Sequence, residues 1–209
     1  MKAIYYFIFA VVFICSAFMV QHAHAQKIKE LFEKKIPEVE RMSREKFEEA
    51  TVLYDDIPFN DKSLAYEVRL PNNWGGAKSS AATNYTLSNR LLGQVALFYG
   101  PPRIDAARSK FSIMAVNLEY ELTAEQWFLQ YVLSNGFTLE GIRIYDGRKI
   151  EAMYVYLDEG DTFVVRTIAQ INGKRMILAQ YTAPAKYWEQ EKVTSYEIMQ
   201  SFRMLSQEV

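Results

Sequence analysis

FTLEGIRIYDGRKIEAMYVYLDEGDTFVVRTIAQINGKRMILAQYTA, residues 137–183, is the stretch from which the architecture can be worked out. It reads as four strands, Phe137–Tyr145, Arg148–Leu157, Thr162–Ile171 and Lys174–Thr182, joined by three tight connections. Asp146-Gly147 and Asn172-Gly173 have the composition of type I′ hairpin turns, whose central residues take positive φ. Asp158-Glu159-Gly160-Asp161 supplies the middle turn. With Asn172 and Gly173 as the turn pair, Ile171 is expected opposite Lys174, Ala169 opposite Met176 and Thr167 opposite Leu178. Val165, Ala169, Met176 and Leu178 then share one face, and Val164, Ile168, Ile177 and Ala179 the other. A meander that is apolar on both faces must be covered on both.

Two amphipathic helices flank it and are the natural covers. Thr123 is a candidate N-cap with Gln126 three residues on, which completes a capping box, and Leu122 and Trp127 take the hydrophobic-staple positions. The spacing predicts a helix over Ala124–Asn135 with Gly136 as the left-handed residue beyond its end. Trp127, Phe128, Tyr131 and Val132 are its expected core face. After the meander, Pro184 ends the last strand and a second helix begins near Ala185, with Trp188, Tyr196, Ile198, Met199 and Phe202 on one broad arc. Trp127 and Phe202 are expected to be largely buried.

Upstream, Tyr66, Val68 and Leu70 alternate inward along a strand that Pro71-Asn72-Asn73-Trp74-Gly75-Gly76 closes in a turn. Residues 77–85 are small, polar and without period, and read as a loop. Gln94–Tyr99 and Lys110–Tyr120 are further strands, the second apolar on both faces. From Lys27 to about Leu53 the chain is charged with helical period, interrupted at Pro37. The expected organisation is a segment of residues 26–54, helical and amphipathic, before an α+β domain of residues 55–209. That domain has about six antiparallel strands flanked by helices.

The first 25 residues read as a secretory signal. Lys2 is the basic start, Ile4 to Val20 an unbroken apolar run, and Ala23-His24-Ala25 a small-x-small cleavage site before Gln26. The alternative is an uncleaved anchor formed by residues 4–20, which would tie the chain to a membrane. Both histidines, His22 and His24, and the one cysteine, Cys15, lie inside this segment. The mature chain would therefore lack a Ser-His-Asp triad, a thiol nucleophile, a Cys/His zinc site and disulfides. No cofactor is expected. The formal charge is −1, with signs interspersed, so there is no electrostatic footprint for nucleic acid. Half the residues are apolar (50%), enough for one good core without cross-links.

The remaining motifs are weak. Gly75-Gly76-Ala77-Lys78-Ser79 lacks the glycines that a phosphate-binding loop needs, and Ser43-x-x-Lys46 has no partner motif of the penicillin-binding enzymes. Asp55-Asp56 and Asp158-Glu159-Gly160-Asp161 fall in turns, where carboxylates serve local hydrogen bonds. Asn84-Tyr85-Thr86 is a formal glycosylation sequon. Trp74 and Tyr85 flank the Gly-rich loop and are the candidate partner surface, because loops carry function more often than packed strands do.

The order of elements, with Tyr66-x-Val68-x-Leu70-Pro71-x-x-Trp74 opening the domain and Pro184, Trp188 and Ser201-Phe202-Arg203 closing it, resembles the PsbP/DcrB-like superfamily over about residues 65–205. The resemblance implies an α/β/α sandwich and a place beside photosystem subunits and small bacterial envelope proteins. It carries no functional residue over, and a histidine-based metal site would have no counterpart here. Two functions fit: an exported, non-catalytic accessory module, periplasmic, with a protein partner in the envelope; or a histidine-free enzyme or small-ligand carrier with a cavity on the sheet. A buried carboxylate in a deep pocket would favour the second.

Overall fold

The computed structural model describes residues 33–77 and 93–205. Within them, β3 (Gly75–Ala77), β4 (Gly93–Tyr99), β5 (Lys110–Asn117), β6 (Thr138–Asp146), β7 (Lys149–Asp158), β8 (Asp161–Asn172) and β9 (Arg175–Pro184) form a seven-stranded sheet. Its order is β3-β4-β5-β9-β8-β7-β6, antiparallel throughout. A second sheet of three strands has the order β1-β2-β10, with β1 (Thr51–Asp56), β2 (Tyr66–Pro71) and β10 (Arg203–Met204). The helices are α1 (Arg44–Ala50), α2 (Ala124–Ser134) and α3 (Ala185–Ser201). The fold is the α+β class expected, with more strands than the sequence suggested.

Both faces of the large sheet are apolar, and each has its own cover. Beneath α2 lie Leu139, Ile150, Ala152, Val165, Ala169, Met176 and Leu178, packed with Phe128 and Val132 of the helix. On the opposite face Phe111, Ile113, Ile168, Ile177, Ala179 and Tyr181 meet α3 through Ile198 and Met199, and the small sheet through Tyr66, Val68 and Leu70. The capping box at Thr123 and Gln126 is formed, and Gly136 takes φ +67° just past the end of α2. The i, i+4 pair Phe128 and Val132 points at the sheet. Trp127, expected to be largely buried, is only half-buried, stacked on Tyr131 at the helix flank (5.4 Å, 11° between planes), and the helix is anchored by Phe128 instead. Phe202 is buried, against Phe111.

The turns differ from expectation in an instructive way. Asn172 pairs with Arg175 and Ile171 with Met176, so the loop is Gly173-Lys174, one residue later than read from the sequence. Each partner therefore slips by two residues, which preserves both faces because the strand period is two. Only Gly173 takes positive φ there (+58°), as the first position of a II′ turn requires, which spares Asn172 a left-handed conformation. Within the meander, the turn with two positive-φ residues is Glu159 (+49°) and Gly160 (+89°). Asp146 pairs with Lys149, leaving Gly147-Arg148 as the third loop beside a break in register.

The N-terminal segment is the main correction. Residues 27–32 lie outside the described residues. From 34 to 43 the chain is not helical; α1 is seven residues long, and Thr51 turns extended (φ −132°, ψ 156°) into β1. Pro37 has no N–H to give a helix, and Ser43 starts a new one by accepting the Lys46 amide (3.3 Å). Val52 and Leu53, read as the end of an amphipathic helix, are instead half-exposed residues of a strand paired to Leu70 and Arg69. Strand β1 thus spans residues 54 and 55, where the helical segment was expected to end. Ahead of α1, the Lys34 carbonyl accepts the Ile142 amide (2.9 Å), and Ile36 is buried against Met153 and Val164. The segment crosses β6 at Gly141, where a Cβ would stand 2.7 Å from the Ile36 nitrogen.

Candidate functional site

Helix α2 lies mainly over the β6–β8 side of its sheet face and shares its core with only one end of β9, at Met176 and Leu178. Over the other side lies a cavity of 310 Å³, and its floor is polar. On β5, Lys110 and Ser112 point into it; on β9, Gln180 and Thr182 do. In the ladder Lys110 stands opposite Thr182 and Ser112 opposite Gln180, so the four make a square on two adjacent strands. Opposed side chains in such a ladder have Cβ atoms about 5 Å apart. Ser112 and Thr182 are short polar side chains at positions where the part of this face under α2 carries Leu, Met and Ile, which leaves room above the strands.

The walls come from elsewhere in the chain. Tyr154 and Tyr156 of β7, Phe137 after α2, and Tyr131 of α2 make an aromatic wall. Phe137 stacks on Tyr154 (4.9 Å, 11°), and Tyr131 meets both edge-on (5.7 and 6.3 Å). This mutual packing fixes the rings before anything binds. Across the cavity stand Gln94, Leu97 and Tyr99 of β4. Strict alternation would not put 94 and 97 on one side. A bulge between Gln94 and Ala96 does so, burying both Val95 and Ala96 and returning Leu97 to the cavity face.

Gln180 is buried and donates its amide to the Tyr154 hydroxyl (2.7 Å). Burial above all, then the neighbouring Tyr131 hydroxyl, pushes the Tyr154 phenol well above its usual range, against the opposing effect of the Gln180 bond. Burial likewise raises Tyr156, with Asp158 adding to it. Both stay protonated at neutral pH. Among the described residues, the lining thus holds amide, hydroxyl and phenol groups, one lysine, and no carboxylate. The buried carboxylate of the fold, Glu151, lies on the opposite sheet face. There it accepts from Arg166 Nε (2.8 Å) and Tyr145 (3.0 Å), and Arg166 lies 4.7 Å over the Tyr196 ring. It is part of the core, not of the cavity.

Two other depressions are less organised. One of 500 Å³ between α1, β2 and α3 is lined by opposite charges, with Arg44 on Glu48 (2.8 Å) and Glu197 taken by the Met42 amide (3.0 Å). One of 680 Å³ lies among the loops at residues 118–123, 147–148 and 171–174. Sites on strands and helices hold their geometry better than sites on loops. Among the described residues, no group of His, Cys, Asp or Glu side chains is arranged to hold a metal ion, and no helix is long and apolar enough to cross a membrane.

The candidate partner surface fares differently. Trp74 is 8% exposed: the turn after β2 folds it back onto Tyr181 (5.7 Å), over the space that Gly100 leaves open. It is a core residue, and its side chain offers no surface platform. Tyr85 lies outside the described residues, as does the sequon. None of the cavity residues was singled out from sequence as a site, although Lys110-x-Ser112 and Gln180-x-Thr182, polar at inward positions of apolar strands, were the available signal.

No protein-family model matches the sequence, and a search of curated proteins finds no match. Solved structures do resemble it. A cyanobacterial PsbP from Synechocystis sp. PCC 6803 is similar at 16% identity and TM-score 0.49, covering 74% of this chain and 92% of that one. LpqN, involved in cell envelope biogenesis of Mycobacterium tuberculosis, is similar at 11% identity and TM-score 0.48 over 78% and 98%. PA94, a Pseudomonas aeruginosa protein of unknown function, is similar at 12% and 0.46 over 72% and 94%. Each is a likeness of structure at low sequence identity.

Proposed function

We propose that the protein is an exported, non-catalytic binding module of the cell envelope, and that the cavity on the α2 face of the sheet is its ligand site. The observation that carries this reading is the cavity itself. An aromatic wall held rigid by ring stacking stands beside a buried amide and three further polar side chains, on strands fixed in one ladder. Pockets of this size, apolar with a few convergent polar groups, are the usual form of small-ligand sites. The described lining offers stacking faces and hydrogen-bond partners but neither a carboxylate nor a histidine to act as a base near neutral pH, which favours recognition over catalysis. Export to the periplasm, with cleavage before Gln26, and a protein partner in the envelope complete the reading; the basic start, apolar run and small-x-small site within residues 1–25 support the first.

The test is a ligand-observed NMR screen of small monocyclic compounds against the protein and against Leu97→Trp. Leu97 is only partly buried, so the larger ring grows into the cavity without displacing the core. Hits that bind the native protein and are lost in the variant support the proposal. No hits, or hits indifferent to the variant, overturn it.

A further inference from the structure

Resting on that reading, we infer that the cavity selects a small organic anion, a flat ring bearing one carboxylate, with the carboxylate at the Lys110–Ser112–Gln180–Thr182 square and the ring against the aromatic wall. The charge argument is local. Among the described lining residues Lys110 is the one ionised side chain, and none is a carboxylate that would neutralise it. Directly opposite is Thr182, two residues along the same strand face is Ser112, and opposite that is Gln180. An ammonium, two hydroxyls and an amide therefore converge on a patch two residues long and two strands wide. All four can donate, which is what a carboxylate asks of its surroundings. Gln180 has one amide hydrogen on Tyr154 and a second to give.

The ring follows from the wall. Tyr154 is buried and holds Phe137 face to face, whereas Tyr131 and Tyr156 are half-buried and border the open space. Rings so placed favour an aromatic or ring-shaped partner edge-on or offset. The volume limits the ligand to about a monocyclic size, since sites of 310 Å³ lie at the lower end of the small-molecule range. A phosphate in place of the carboxylate would meet the same donors.

The experiment uses matched pairs: 4-hydroxybenzoate with 4-hydroxybenzamide, benzoate with benzamide, and cyclohexanecarboxylate with its amide. Phenyl phosphate is added as the phosphate arm. Binding is measured by calorimetry on the native protein, on Lys110→Met and on Ser112→Ala. Lys110 is at the rim and half-exposed, so its replacement leaves the core untouched. The expected result is about a tenfold preference for each carboxylate over its amide, weakening with salt and abolished in Lys110→Met while amide binding persists. Phenyl phosphate binding tighter than benzoate would reassign the head group and overturn the carboxylate assignment. Equal binding of acid and amide overturns this inference but leaves the binding module standing. No binding of any compound, acid or amide, overturns both.

Discussion

Removing the charge of Glu151 by Glu151→Gln tests whether the α3 face is organised as described. Glu151 and Arg166 have side chains 0% and 1% exposed, joined at 2.8 Å. Without the carboxylate charge, the guanidinium is left buried, and its Nη1 already has no hydrogen-bond partner. What is left is a neutral amide oxygen for its Nε and the face of Tyr196 at 4.7 Å, the latter worth about 0.5–2 kcal/mol, together too little to offset burial of a cation. Breaking one partner of a buried pair costs about 3–5 kcal/mol, a large part of the roughly 5–15 kcal/mol available to a domain. Tyr145 (3.0 Å) and the half-exposed Arg143 (3.5 Å) lose a charged acceptor but can turn to water, so each adds about 1 kcal/mol or less. Adding Arg166→Met removes the stranded cation, and the Gln still accepts from Tyr145. The double variant should regain about 2 kcal/mol or more over Glu151→Gln, a coupling that urea denaturation of the four proteins of the cycle measures. A Glu151→Gln midpoint within about 1 kcal/mol of native, or a double variant no better than the single, would refute the account.

Gly141→Ala should lift the N-terminal segment off β6, because the new Cβ would meet the Ile36 and Lys35 backbone at 2.7–2.8 Å; hydrogen exchange should accelerate at the Ile142 amide while the meander amides stay protected. Phe202→Ala should cost about 3–5 kcal/mol and the half-exposed Trp127→Ala clearly less, read from urea midpoints; equal costs would contradict the packing. Burial alone would raise the Asp61 carboxyl, but hydrogen bonds from Arg175 and Ser63 outweigh it and hold it below the usual range. This stabilisation is present above the unfolded value of about 4 and is lost as pH falls through the lower native value. Asp61→Asn should therefore flatten the fall in stability below about pH 4, followed by denaturant titrations from pH 6 downward. Intact-mass analysis of the exported product should show Gln26 as the first residue; a full-length product held in the membrane would replace the signal with an anchor.

Features governed by neighbours in sequence were legible in it. The capping box at Thr123 and Gln126, the left-handed Gly136, the inward alternation of Tyr66, Val68 and Leu70, and the division of β8 and β9 into two apolar faces all depend on contacts within a few residues or on a period of two. That both sheet faces need covers followed from the same pattern. Tertiary structure alone decided the rest. The turn at Gly173-Lys174 was chosen by where one glycine relieves strain, a choice the composition of Asn172-Gly173 leaves open. Thr51–Leu53 became a strand because β2 offered an edge to pair with, although its local pattern suited a helix. Trp74 lies in the core because Gly100 left it room beside Tyr181. The cavity gathers residues from β4, β5, β7, β9 and α2, and depends on a bulge at Val95 and on where α2 stops. No local pattern encodes that meeting, because residues such as Leu97 and Gln180 are brought to one cavity only when the sheet sets Ser112 between them.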